Sequence, residues 1–281
     1  MRAALPAFLA TLAFSTAGAS AGEVMVAVAA NAAEAVEALA EDFERESGHR
    51  VTVTVGSTGK LYAQILHGAP FDVFLAADQE RPRLLVEQGI AMADSRITYA
   101  VGRLALWSRQ SGAVSDGVAV LREGAFRRLA MANPELAPYG AAARKTLREL
   151  GLWESLRSKI VLGENVGQSF AMTASGNAEL GFVAVSSVLS AGNSYSQERW
   201  EVPARFHEPI RQDAVLLDRA RDNKAARDFY RFLSSPESRN VVESFGFVVH
   251  GAVGPRDDSQ PGLAPGECNH GRPIRAYAPA R

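Results

Sequence analysis

The stretch Val55-Gly56-Ser57-Thr58-Gly59-Lys60-Leu61-Tyr62 places two glycines, two hydroxyls and a lysine directly after a β-branched run. Those residue types are what a loop needs to cradle a phosphate or another oxyanion. A nucleotide loop of the pattern G-x-x-x-x-G-K-[ST] requires its first glycine for a tight turn and a hydroxyl after the lysine for magnesium. Thr54 stands where that glycine should be and Leu61 follows Lys60, so the nucleotide reading fails at two positions its mechanism requires. A strand, a glycine, two hydroxyls and a helical pattern remain, and together they still describe a seat for an anion.

Three further junctions share this grammar, in which a strand ends, a small or amide-bearing residue follows and a helix begins: AANAAE (29–34), APYGAAA (137–143) and ENVGQS (164–169). The first-turn N–H groups of a helix lack intrahelical acceptors and carry partial positive charge. Converging helix starts can therefore hold an oxyanion without any lysine or arginine. The side chains of Asn31, Ser57 and Thr58 would add donors. Asn31, Ser57, Thr58 and Asn165 are equally favoured helix caps, whose oxygens would point at their own helices, and the residues alone leave both readings open. Lys60, one turn into its helix on a long stem, is expected to reach solvent rather than the anion.

Chemistry of other kinds finds less support. His49, His67, His207, His250 and His270 lie far apart, with no H-E-x-x-H or paired-cysteine spacing, so a metal site has no local signature. Asp72 and Asp78 would share a strand face, but their places at a loop end and before a helix favour structural roles. TASGNA (173–178) and VSSV (185–188) lack the G-x-S-x-G elbow of a serine hydrolase. Trp107, Trp153 and Trp200 could form a carbohydrate platform, yet their apolar contexts make core packing the expectation. The chain is read as a binder, not an enzyme, with no cofactor.

The elements that must position these residues alternate. Strand VMVAVAA (24–30) is followed by a helix that opens at Asn31, read as the cap of a capping box with Glu34, and stops at Gly48. Strand RVTVTV (50–55), helix KLYAQILHG (60–68) and strand FDVFLAAD (71–78) complete a βαβαβ unit, with Asp78 able to cap the next helix and Pro82 tolerated in its first turn. The run TYAVGRLALWS (98–108), interrupted by Gly102, is where the chain is expected to cross into a second lobe. That lobe holds strand LAMANP (129–134), helix GAAARKTLREL (140–150), strand KIVLG (159–163), helix GQSFAMTASG (167–176) and strand LGFVAV (180–185). QDAVLL (212–217) reads as the return strand, and 225–246 as closing helices of the first lobe. The fold class is therefore α/β, with mostly parallel sheets flanked by helices and a ligand cleft between two lobes, 22–100 plus 211–250 and 101–210. Closure would be a hinge motion.

The 281 residues are 47% apolar, which suits about two ordinary domains with real cores. With 30 basic and 31 acidic residues and a net charge of −1, there is no basic field for nucleic acid and no membrane-binding patch. Any anion must be held locally. Residues 1–21 read as a secretory signal peptide, a short apolar run ending in the small-x-small pattern Ala19-Ser20-Ala21. Cys268 is the one cysteine, so no intrachain disulfide can form and the core must suffice. It lies in a Gly- and Pro-rich stretch, 251–281, expected to be a disordered tail.

VGSTGKLYAQILHGAPFDVFLAAD (55–78), NPELAPYG (133–140), ENVGQSFAMTASGNAELGFVA (164–184) and FLSSPESRNVVESFGF (232–247) together resemble the periplasmic molybdate-binding proteins of ABC transporters, over roughly Val24 to Val249. The resemblance is to the branch with an asparagine after the first strand, a G-S-[ST]-G loop and N-P-x-x-A-P-Y-G in the second lobe. It implies a type II periplasmic-binding-protein fold and an oxyanion held by Asn31 with the backbone of Ala30 or Ala32, by the Thr58 hydroxyl and amide, and by the backbone amides of Tyr139 and Val166. Two positions depart from relatives: Ala30 replaces a hydroxyl residue, and Ala184 stands where another branch places a ligand tyrosine. Ser57 could supply the missing donor. A fully ionised tetrahedral dianion offers only acceptors, so a pocket of neutral N–H and O–H donors suits it. The implied function is capture of molybdate, with tungstate, in the periplasm by a monomer that docks on a membrane permease. Sulfate or phosphate in the same architecture is the alternative, and an exported hydrolase a second one.

Overall fold

The computed structural model describes residues 21–190 and 192–249. Residues 1–20 of the expected signal peptide, Ala191, and residues 250–281 with the expected tail and Cys268 lie outside the described residues.

Strand β1 (Glu23–Ala29) leads through a 3-10 turn at Ala30–Ala32 into helix α1 (Ala33–Ser47). Gly48, at φ 71°, ends α1 in the left-handed conformation that glycine adopts without penalty. There follow β2 (Arg50–Gly56), α2 (Thr58–Leu66), β3 (Val73–Leu75), α3 (Glu80–Glu87) and β4 (Ile97–Gly102). The second lobe runs through β5 (Leu104–Trp107), α4 (Gly117–Glu123), β6 (Leu129–Ala132), α5 (Pro138–Glu149), α6 (Trp153–Leu156) and β7 (Ile160–Gly163). It continues with α7 (Val166–Ala174), β8 (Leu180–Ala184), α8 (Val185–Leu189) and β9 (Arg199–Glu201). The chain then returns through β10 (Ile210–Leu216) to α9 (Lys224–Phe232) and α10 (Pro236–Ser244).

Two five-stranded sheets result, ordered β2-β1-β3-β10-β4 and β7-β6-β8-β5-β9. In the first, β1 is parallel to β2 and β3 while β10 is antiparallel to both β3 and β4. In the second, β6 is parallel to β7 and β8 while β5 is antiparallel to both β8 and β9. Each sheet is thus mostly parallel with one reversed strand, and the reversed strands are the two the chain enters on crossing between sheets. The first crossing passes through Arg103 alone, next to the predicted break at Gly102.

Burial explains the sequence patterns. Strands β5, β6 and β8 are buried at every residue, as apolar runs covered on both faces must be, whereas edge strand β2 alternates Val and Thr and stays half-buried. Helices α1, α9 and α10 cover one face of the first sheet through Leu39, Phe43, Phe229 and Val242. Leu61, Ile65 and Leu85 of α2 and α3 cover the other. Trp107 is fully buried and stacks on Phe170 with centroids 4.8 Å apart, its Nε1 donating to the Ser196 carbonyl at 2.8 Å. Trp153 and Trp200, partly buried, pack against the core of the second lobe. The predicted strand over 71–78 is regular only at Val73–Leu75, and the chain bends from Ala77 onwards.

Candidate functional site

The four junctions meet where the lobes face each other. A cavity with ≈ 180 Å³ of empty space is lined by Ala29, Ala30 and Asn31, by Gly56, Ser57, Thr58 and Ala77, and, from the second lobe, by Ala137, Pro138, Tyr139, Asn165 and Val166. Its wall holds no ionisable group other than the Tyr139 phenol. A far larger groove beside it, with ≈ 1110 Å³ of empty space, carries Asp78, Glu80, Glu135 and Glu208 against Arg81, Lys145 and Arg211. Four carboxylates make that groove a poor seat for a dianion.

Each wall residue is placed by local chemistry. Ser57 caps α2, its Oγ accepting the Lys60 N–H at 3.4 Å, which leaves the hydroxyl hydrogen for another acceptor. Thr58 Oγ1 likewise accepts the Ala77 N–H at 3.1 Å and is almost fully buried. Tyr139 and Val166 lie in the first turns of α5 and α7, where N–H groups have no intrahelical acceptor. Helix α5 starts with Pro138 and has no side-chain cap. Gly140 allows α5 to sit against β6, since a Cβ there would fall 2.3 Å from the Ala132 carbonyl oxygen. Asn165 caps α7 by accepting the Gln168 N–H at 3.0 Å, the structural role open to it from sequence.

One expectation changes. Asn31 is not a helix cap: Ala30–Ala32 form a 3-10 turn, α1 begins at Ala33 without a side-chain cap, and Asn31 Nδ2 donates instead to Gln212 Oε1 at 2.8 Å. A buried amide takes the partner that tertiary packing supplies. Ala32 turns into the core of the first lobe, so Ala30 is the neighbour of Asn31 on the cavity. Lys60 is exposed and off the cavity, as expected, and its Nζ pairs with Glu164 of the second lobe at 3.0 Å. Ala184 is fully buried at the end of β8, off the cavity.

Further bonds join the lobes around the cavity. The Gly59 N–H donates to the Leu136 carbonyl at 2.9 Å, the Ser186 hydroxyl donates to the Asn31 carbonyl at 2.7 Å, and the Ser190 hydroxyl donates to Glu34. Burial holds the Tyr139 hydroxyl well above the usual phenol range, so it stays protonated and neutral. Asp72 and Asp78 serve structure. Asp72 accepts from the Met25 N–H at 2.8 Å and from Arg219, and Asp78 accepts the Arg81 N–H at 3.0 Å at the start of α3. Burial raises the Asp78 carboxyl against the opposing pull of Arg81.

Gln212 and Tyr99, which back Asn31 and Tyr139, were not visible as site residues. Each reads as one more position in a strand, and position 212 is 181 residues from Asn31.

The sequence model of the family described as bacterial extracellular solute-binding protein matches residues 24–248. The molybdate-binding protein ModA of Azotobacter vinelandii is 48% identical over 229 residues, 82% of this chain and 91% of that protein. ModA of Rhodobacter capsulatus is 43% identical over 231 residues, 82% of this chain and 90% of that protein. Among solved structures, the periplasmic molybdate-binding protein of Azotobacter vinelandii superposes with a TM-score of 0.77 at 38% identity, covering 81% of this chain and 99% of that one.

Proposed function

This chain belongs to the bacterial extracellular solute-binding proteins, a family of receptors rather than enzymes, and from that premise we propose that it captures molybdate for an ABC importer. The carrying observation is a cavity walled by uncharged donors from opposed helix starts, in a chain 48% identical to a molybdate-binding protein.

A tetrahedral dianion presents acceptors in every direction. The first-turn N–H groups of Thr58, Tyr139 and Val166, the Asn31 amide with the backbone beside Ala30, and the hydroxyls of Ser57 and Thr58 would supply donors from both lobes. Helix starts add partial positive charge without bringing a mobile ion. Neutral donors in a water-poor cavity are worth more than the same donors in water. The metal would be held only through its oxygens, with no direct protein ligand. A partly protonated anion such as phosphate needs an inward acceptor for its hydrogen, and no carboxylate lines the cavity. Tungstate shares the charge and shape of molybdate and belongs to the same reading.

In this reading the anion enters with the lobes apart and is enclosed by rotation about the crossings at Arg103 and before β10. The enclosed monomer would then deliver it, from the periplasm, to a membrane permease.

Thermal unfolding of residues 22–281 with molybdate, tungstate, sulfate or phosphate tests this. A ligand present at about a hundred times its dissociation constant adds about 2.7 kcal/mol of stability. Molybdate and tungstate should raise the midpoint and phosphate should not. Equal stabilisation by sulfate would remove the molybdate assignment while leaving an oxyanion receptor.

A further inference from the structure

Behind the cavity wall lies a buried amide that touches residues of both lobes. Gln212, on β10, is fully buried and does not line the cavity. Its Oε1 accepts from Asn31 Nδ2 at 2.8 Å and from the Tyr99 hydroxyl at 2.8 Å, and its Nε2 donates to the Tyr139 hydroxyl at 3.4 Å. Asn31 and Tyr99 belong to the first lobe and Tyr139 to the second, so one side chain ties wall residues that face each other.

The backbone is built around this contact. The β10–β4 register passes from Gln212 opposite Ala100 to Asp213 opposite Thr98, leaving Tyr99 as an extra residue. Such a bulge re-aims side chains, and here Tyr99 brings its hydroxyl to Gln212. Gly102 leaves the remaining space: a Cβ there would fall 2.1 Å from the Tyr139 hydroxyl oxygen and 2.4 Å from Gln212 Nε2. Burial keeps both phenols protonated, so no charge enters the network.

We propose that Gln212 is a positioning residue of the oxyanion site, setting the Asn31 amide in one lobe and the Tyr139 helix start in the other so that donors from both converge. It acts through those two residues and does not touch the anion. The inference rests on the oxyanion reading above.

The test is a double-mutant cycle read by calorimetric titration with molybdate. Gln212→Met keeps the length of the side chain and removes its polar atoms. It should weaken binding about tenfold, the scale of a lost buried hydrogen bond. In an Asn31→Ala background the same change should weaken binding no more than about threefold, because residues acting as one unit are not additive. Equal fold-losses in the two backgrounds, or a Gln212→Met affinity within about twofold of wild type, overturn the proposal. Tyr139→Phe cuts the tie from the other lobe while keeping the Tyr139 backbone N–H. It decides the matter should Gln212→Met not fold: weaker binding supports the brace, and unchanged affinity overturns it. A wild-type chain that takes up no molybdate sinks the oxyanion reading itself and this inference with it, a result distinct from any obtained with the variants.

Discussion

Ser57 and Thr58 each carry two duties on one oxygen. A hydroxyl accepts through its lone pairs and donates through its hydrogen, so capping α2 or binding the Ala77 N–H leaves each free to donate into the cavity. Cap and ligand, which read as alternatives in sequence, are compatible in space. Thr58→Ala should weaken molybdate binding by about 1.5–3 kcal/mol, the range for a hydrogen bond to a charged group, and Thr58→Ser should restore most of it; titration calorimetry on the two variants measures both. Asn31→Asp would set a carboxylate beside a dianion and should abolish measurable binding, checked by the same titration while circular dichroism reports the fold. Unchanged affinity in Thr58→Ala and Asn31→Asp would take both residues out of the site. The role of Asn31 was half-legible, because its type marked it as polar at a helix start while its partner Gln212 lies far along the chain.

At the scale of elements, α5 shows how a helix start becomes a binding surface. Pro138 occupies the first turn, no side chain caps it, and Gly140 lets the helix rest on the end of β6. Gly140→Ala would drive a methyl group into the Ala132 carbonyl and push α5 outward. The expected result is a loss of about 1–3 kcal/mol of stability, as for other overpacked sites, read by urea unfolding. Molybdate affinity should fall as well, because the Tyr139 N–H moves with the helix. The strand and helix order was legible from periodicity and from punctuation such as Gly48 and Gly102. The start of α1 was misplaced because Asn31 and Glu34 match a capping box in spacing, yet Glu34 turns instead to Ser190 of the second lobe.

Across the whole molecule, the lobes meet through hydrogen bonds around the cavity, one of them to the Glu34 carboxylate, and through the Lys60–Glu164 pair. That pair is partly exposed on both sides, so it contributes no more than about 1 kcal/mol to holding the lobes together. The cavity wall offers no acid, histidine, lysine or arginine, and its one phenol is held protonated. Affinity for an anion that stays fully ionised should therefore be flat from about pH 6 to 9, the interval in which only a histidine or a perturbed group would titrate. Titrations in overlapping buffers measure it, and a slope would place a charged residue in the site.

What the sequence determined by itself was local: four strand-to-helix junctions with small or amide-bearing residues, and glycines at helix ends. These follow from short-range chemistry, since a helix start exposes its N–H groups wherever it lies. Only the tertiary structure decided that the four junctions share one cavity, that Lys60 answers Glu164, and that Gln212 stands behind Asn31 and Tyr139. Those contacts join residues up to 181 positions apart, brought together as the chain passes from the first sheet to the second and back.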